Sequence, residues 1–238
     1  AHVPYGSRPR DQIREFAFGI TRFLLDREAK LIVVACNTAS AVALHDLRLA
    51  FPEVPFVGME PAVKPAAETT HTGKVGVLAT PTTFAGELYA SVVERFAKDV
   101  QIFQSTCPGL VEQIELGDLT GPQTRQILEE ALHPMLAQGI DTVVMGCTHL
   151  PFVIPLIETI TGPEVRTIDP APAIARQTRR LLAERGLLSP EGESGKQRFF
   201  TSGNLMAFQE LLPILLDETG PATGVAWLND SELMLKVV

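Results

Sequence analysis

A chain of 238 residues, 45% hydrophobic and 20% charged with 18 Gly and 18 Pro, has an ordinary globular composition, which excludes disordered, collagenous and disulfide-scaffold classes. At roughly 150 residues per domain, the length suits one large domain or two small ones with a substantial core. The net charge is −8, from 20 Lys plus Arg against 28 Asp plus Glu. No basic run is free of acidic neighbours, which argues against a nucleic-acid partner and for a small polar substrate.

The three cysteines, Cys36, Cys107 and Cys147, cannot all pair and are too sparse for a secreted, stapled domain. They read as reduced, and the chain as cytoplasmic. The apolar stretches are broken by charge, Pro or Gly before they reach membrane-spanning length, and the opening AHVPYGSRPR lacks a signal peptide's apolar core, so no membrane partner is expected. The opening also lacks Met, which suggests a start inside a longer gene product.

From Arg10, the residues Ile13, Phe16, Ala17, Ile20 and Leu24 recur at helical spacing, and Leu31 to Val34 follow as a short buried strand. Asn37 or Thr38 is expected to cap the next helix, which carries Val42, Ala43 and Leu47 and precedes a strand at Phe56 and Val57. The alternation continues with a strand from Val75 to Leu78, a helix from Phe84 to Phe96 and a strand near Gln101 to Gln104. A helix from Pro122 carries Ile127, Leu128, Ala131, Met135 and Leu136, and Pro134 should kink or divide it. Thr142 to Met145 form another buried strand, followed by a helical segment after Pro155. A further helix bears Ile174, Thr178, Leu181 and Leu182, with Arg176, Arg179, Arg180 and Arg185 on a solvated face. The stretch SPEGESGK at 189–196 reads as a surface connection.

Helices alternating with short apolar strands predict an α/β protein with parallel sheets. LIVVACNTAS around Cys36 and TVVMGCTHLP around Cys147 each read as strand, Cys, small polar residues, helix, 111 positions apart. That spacing suits two similar parallel-sheet α/β domains, each presenting a thiol at the carboxyl end of a strand, with the active site in the cleft between them.

A helix N-terminus lowers a thiol's pKa, and the pattern places both Cys36 and Cys147 at one. The alternative for each is a small buried residue at a strand end. The polar neighbours Asn37, Thr38, Ser40, Thr148 and His149 weigh against burial without function. Cys107, followed by Pro108 and Gly109, keeps the structural reading. Two thiols across a cleft suit racemisation of a carbon acid, since one removes the α-proton while the other returns a proton to the opposite face. Helix N-termini and hydroxyls would hold the carboxylate. A single thiol nucleophile beside His149 would leave the second cysteine unused. His2, His45, His71, His133 and His149 show no zinc spacing with the cysteines, and neither a GxGxxG turn nor a GxxxxGK[ST] loop is present. No metal, pyridoxal phosphate or nucleotide is expected.

These residues resemble glutamate racemases, cofactor-independent members of the aspartate/glutamate racemase superfamily, over essentially the whole chain. The shared motifs are VPYG at Val3, ACNTAS at Ala35, EPA at Glu60, GVLATPTTF at Gly76, CPGLVEQIE at Cys107, MGCTHLP at Met145, IDP at Ile168 and FFTSG at Phe199. The PYG motif and the His after GCT favour glutamate over aspartate or hydantoin.

The resemblance implies that Cys36 and Cys147 are acid/base catalysts on opposite faces of the substrate, with His149 assisting Cys147 and Glu115 polarising that side. It implies that Asn37, Thr38 and Thr148 hold the α-carboxylate and amino group. Pro4, Tyr5 and Gly6 would enclose the side-chain carboxylate, and Thr80 and Thr83 would lie near the substrate. Gly86 stands where many members have Ser. The resemblance further implies supply of D-glutamate for the bacterial cell wall, a homodimer, and interleaved domains: residues 1–60 with 170–238, and 61–169. Family members open with a strand and an Asp-Ser, glycine-rich turn that are absent from this sequence, about one βαβ unit of roughly 30 residues. The expected activity is therefore interconversion of L- and D-glutamate. The alternatives are a related aspartate or other amino-acid racemase, or an incompetent α/β binding protein that keeps the cleft.

Overall fold

The computed structural model describes residues 2–190, 195–229 and 231–235, so residues 191–194 of the expected surface connection lie outside the described residues. In chain order the elements are α1 (Arg10–Leu25), β1 (Ile32–Val34), α2 (Asn37–Ala50), β2 (Phe56–Gly58), α3 (Val63–Thr69), β3 (Lys74–Ala79), α4 (Pro81–Phe84), α5 (Glu87–Phe96) and β4 (Gln101–Ser105). Then come α6 (Leu110–Glu115), α7 (Pro122–Ala137), β5 (Thr142–Gly146), a 3-10 turn (Leu150–Val153), α8 (Ile154–Thr161), β6 (Arg166–Ile168), α9 (Ala171–Glu184), β7 (Phe199–Thr201), α10 (Leu205–Leu216), β8 (Ala222–Asn229) and β9 (Glu232–Leu235).

The largest sheet is parallel, in the order β4-β3-β5-β6. Its central strands are buried on both faces, so the two sides of each enter different cores. On β3, Leu78 packs with Leu110, Leu128 and Met135, whereas Val75, Val77 and Ala79 meet Val63, Ala66, Tyr89 and Val92 on the other face. This two-sided burial explains why the strands read as continuous apolar runs. At the carboxyl end of β5, a Cβ on Gly146 would lie 2.6 Å from that of Ala79, so only glycine lets the two strand ends approach.

The second sheet pairs β1 and β2 in parallel, with Ile32 opposite Phe56, and α1 and α2 cover it through Ala17, Ala43 and Leu47. A third sheet joins β7 and β8 in parallel and β8 to β9 antiparallel. The protein is thus α/β with mainly parallel sheets.

Two local expectations change. Phe84 to Phe96 is not one helix. Gly86 takes an extended conformation as the cap of α5, and α4 is a separate single turn before it. Pro134, by contrast, leaves α7 undivided. It lies on the exposed side, where water can satisfy the freed carbonyl, while Ala131, Leu132 and Met135 anchor the buried side. The arginines of α9 are exposed, as expected. No helix among the described residues is long and apolar enough to cross a membrane.

Candidate active site

β1 leads directly into Cys36, whose backbone is extended and whose Sγ accepts the Ala39 N–H at 3.5 Å. The cap of α2 is therefore Cys36 itself, and Asn37 and Thr38 lie within the first turn. The sulfur takes the donor that either side chain was expected to satisfy. The thiol's protonation also departs from expectation. Burial pushes the Cys36 pKa up, the Ala39 N–H and Thr38 offset this only in part, and nearby Cys147 adds to it. At this site desolvation outweighs the helix N-terminus, so Cys36 rests as a neutral thiol.

Cys147 follows β5, but the next α-helix begins only at Ile154, after the 3-10 turn, so a helix N-terminus does not reach it. Its partner is a side chain instead. His149 Nδ1 lies 3.7 Å from the sulfur, and His149 Nε2 donates to Glu115 Oε1 at 2.7 Å. Burial of the ring opposes its charge, but Cys147 and Glu115 on its two nitrogens outweigh that and lift the imidazole pKa to about 9. The same bond holds the Glu115 carboxyl below its ordinary range. At neutral pH an imidazolium therefore stands between the Glu115 carboxylate and the Cys147 sulfur.

On the Cys36 side, three hydroxyls join α2 to α4. Thr38 Oγ1 is 2.8 Å from Thr80 Oγ1, Thr80 is 3.0 Å from Thr83, and Thr38 is 3.4 Å from Thr83. Thr80 caps α4, accepting the Thr83 N–H at 3.3 Å, which turns both side chains toward Thr38. Asn37 is buried, and neither polar atom of its amide has a partner among the described residues. Leaving such a group unpaired costs about 1–3 kcal/mol, so the amide holds hydrogen-bonding capacity that its protein neighbours do not use.

Tyr5 lies close enough to Cys36 to feel its charge. Burial, aided by that charge and opposed by Arg8, raises the phenol's pKa to about 12. Pro4 and Gly6 belong to the same turn, and a Cβ on Gly6 would lie 3.0 Å from Thr80 Cβ, so glycine allows the turn to reach α4. Thr148 lines an apolar groove with Val33, Ala35, Met59 and Pro151. Cys107 is buried, its thiol pushed up to about 11 by desolvation, with the Ser105 hydroxyl 3.9 Å away.

The sequence reading left two residues near the site without a role. Ser40 accepts the Met59 N–H at 2.9 Å and donates to the Val34 carbonyl at 3.1 Å, tying α2 to the chain that leaves β2. Its place in ACNTAS was the available signal. Thr82 donates to the Gly6 carbonyl at 2.9 Å, a contact that no local pattern announces. The FFTSG segment was legible only as a motif. Thr201 to Asn204 share a cavity of about 600 Å³ with Tyr5 and Glu115.

Residues 1–178 match the Asp/Glu/Hydantoin racemase family. The glutamate racemase of Pseudomonas aeruginosa is 51% identical over 215 residues, covering 90% of this chain and 81% of the relative. Escherichia coli glutamate racemase, solved with L-glutamate and the activator UDP-MurNAc-Ala, superposes with a TM-score of 0.83 at 33% identity, covering 96% of this chain and 86% of that one. The Francisella tularensis glutamate racemase, solved with D-glutamate, gives 0.78 at 27% identity, covering 93% and 82%. With one family matched over most of its length and a relative sharing half its residues, the chain belongs to the glutamate racemases, which are amino-acid racemases of the isomerase class.

Proposed function

We propose that the chain interconverts L- and D-glutamate by moving protons between two thiols on opposite faces of the α-carbon. The observation that carries this reading is the unequal setting of the sulfurs. Cys147 faces an imidazolium backed by Glu115, whereas burial keeps Cys36 protonated. In one direction Cys147 removes the α-proton as a base, and the electron pair remains on the substrate as a carbanion. Cys36 then gives its own proton to the other face and is left as the thiolate. The reverse direction exchanges the roles, so the pair holds one proton before and after each turnover and two while the substrate is the carbanion. The Asn37 amide and the hydroxyls of Thr38, Thr80, Thr83 and Thr148 would donate to the substrate carboxylates, and the Pro4–Gly6 turn would close over the side-chain end.

In this reading the cleft separates residues 1–60 with 170–238 from residues 61–169. The product D-glutamate would serve bacterial wall synthesis, and the working unit would be a homodimer. Racemisation in deuterium oxide tests the mechanism. The product enantiomer should carry deuterium at the α-carbon at early times, while recovered substrate remains unlabelled. The reason is that the acid on the second face delivers a solvent-equilibrated deuteron. Early product retaining the original proton would indicate a single base and overturn the reading.

A further inference from the structure

Thr82 occupies the middle of α4, and its hydroxyl behaves unlike those of the helical threonines Thr69, Thr159 and Thr178. Thr69, Thr159 and Thr178 each donate to the carbonyl four residues back in their own helix, at 2.7–2.8 Å, the usual local outlet for such a hydroxyl. α4 is a single turn that follows directly on β3, so Thr82 has no helical carbonyl four residues back. Its hydroxyl instead crosses to the Gly6 carbonyl at 2.9 Å, 76 positions away. One partner precedes α1, which packs on the β1–β2 layer, and the other follows β3, a central strand of the four-stranded sheet. The bond therefore spans the cleft. It lies beside the contact in which Gly6 meets Thr80 with no room for a side chain.

Among the described residues, the Thr38–Thr80 and Thr38–Thr83 hydroxyl pairs also join these two sides. A bound carboxylate would draw on those hydroxyls as donors. Thr82 is engaged with a backbone carbonyl, so its bond survives substrate entry. Resting on the function proposed above, we infer that Thr82 is a positioning residue that latches the Pro4–Gly6 turn against α4 and so sets the affinity for glutamate. Without the latch the closed, binding-competent cleft is less populated, and apparent affinity falls in proportion. A single neutral hydrogen bond corresponds to a change of roughly threefold to tenfold.

The test compares wild type with Thr82→Val, Thr82→Ala and Thr82→Ser, using initial rates for L- and D-glutamate followed by circular dichroism, with thermal unfolding measured alongside. Val and Ala should raise KM by roughly threefold to tenfold for both enantiomers, with kcat held within about twofold. Ser, which keeps the hydroxyl, should restore the wild-type KM. If the valine variant fails to fold, the alanine variant, which cannot clash, carries the comparison. The latch is overturned if KM stays within twofold of wild type, if kcat falls while KM holds, or if Ser is as impaired as Val. A wild-type protein that racemises neither enantiomer would instead overturn the function on which the latch rests.

Discussion

His149 is the residue through which charge enters the site, and its environment fixes the direction of a pH effect. Its pKa stands at about 9 in the folded protein against an ordinary 6.5. The favourable contacts with Glu115 and Cys147 are complete below about 6.5 and are lost as pH rises through about 9. Replacing Glu115 by Gln removes the carboxylate that accepts from Nε2 and leaves a neutral acceptor. A charge-assisted hydrogen bond of this kind corresponds to roughly one to two pKa units, so the imidazolium should be lost at lower pH. The basic limb of kcat/KM in the variant should therefore lie about one to two units below that of wild type. A limb that does not move would show that the imidazolium has no part in turnover. Cys107 offers a contrast at the same scale. Desolvation raises its pKa to about 11, and it packs in the core beneath Cys147 with Leu110 and Leu150, which suits a structural thiol.

Among the elements, the break between α4 and α5 has the clearest consequence for the site. Thr80, Thr82 and Thr83 fall within one cap and one turn because Gly86 ends that turn and starts α5 afresh in an extended conformation. Gly86 also lets α2 come close. A Cβ there would lie 3.1 Å from Ala41 Cβ and 3.2 Å from the Thr83 carbonyl. Gly86→Val would press α2 and α4 apart and lengthen the Thr38–Thr80 bond, now 2.8 Å. The substitution should destabilise the protein by roughly 1–3 kcal/mol through overpacking and raise KM, whereas Gly86→Ala should do less of both. Denaturant unfolding together with steady-state kinetics checks this. A valine variant with wild-type stability and KM would mean that the helices yield without cost.

At the scale of the whole molecule, Asp141 ties the loop before β3 to the start of β5. Its carboxylate accepts from the Thr70 hydroxyl at 2.6 Å, the His71 and Thr72 N–H groups at 2.6 and 2.8 Å, and the Thr142 hydroxyl at 3.0 Å. Burial works against the charge, but these four donors outweigh it and hold the pKa near 2, below the ordinary 3.8. The stability this provides is present above about 3.8 and disappears as pH falls through about 2. The site is open to solvent, so the effect is modest. Asp141→Asn should lower the thermal midpoint by a few degrees at pH 7, and the difference from wild type should vanish near pH 2. A constant difference at both values would assign the loss to shape and not to charge.

Sequence alone was sufficient for whatever depends on near neighbours along the chain. The helical spacing of Ile13, Phe16 and Ala17 predicted α1, and the apolar runs at Val75 and Val143 predicted strands buried on both faces, because periodicity and burial leave their mark within a few residues. The strand-to-cysteine segments at Cys36 and Cys147 were legible for the same reason, and with the flanking motifs they pointed to the family that the relatives bear out. Tertiary structure decided what depends on distance and desolvation. Cys36 was expected to be acidic at a helix start, yet burial keeps it protonated, and solvent exclusion is a property of the whole packed molecule. The meeting of Glu115 with His149 and the hydrogen bond from Thr82 to Gly6 join residues 34 and 76 positions apart. No local pattern encodes such pairs, because only the packing of the sheets and helices brings those side chains within reach of each other.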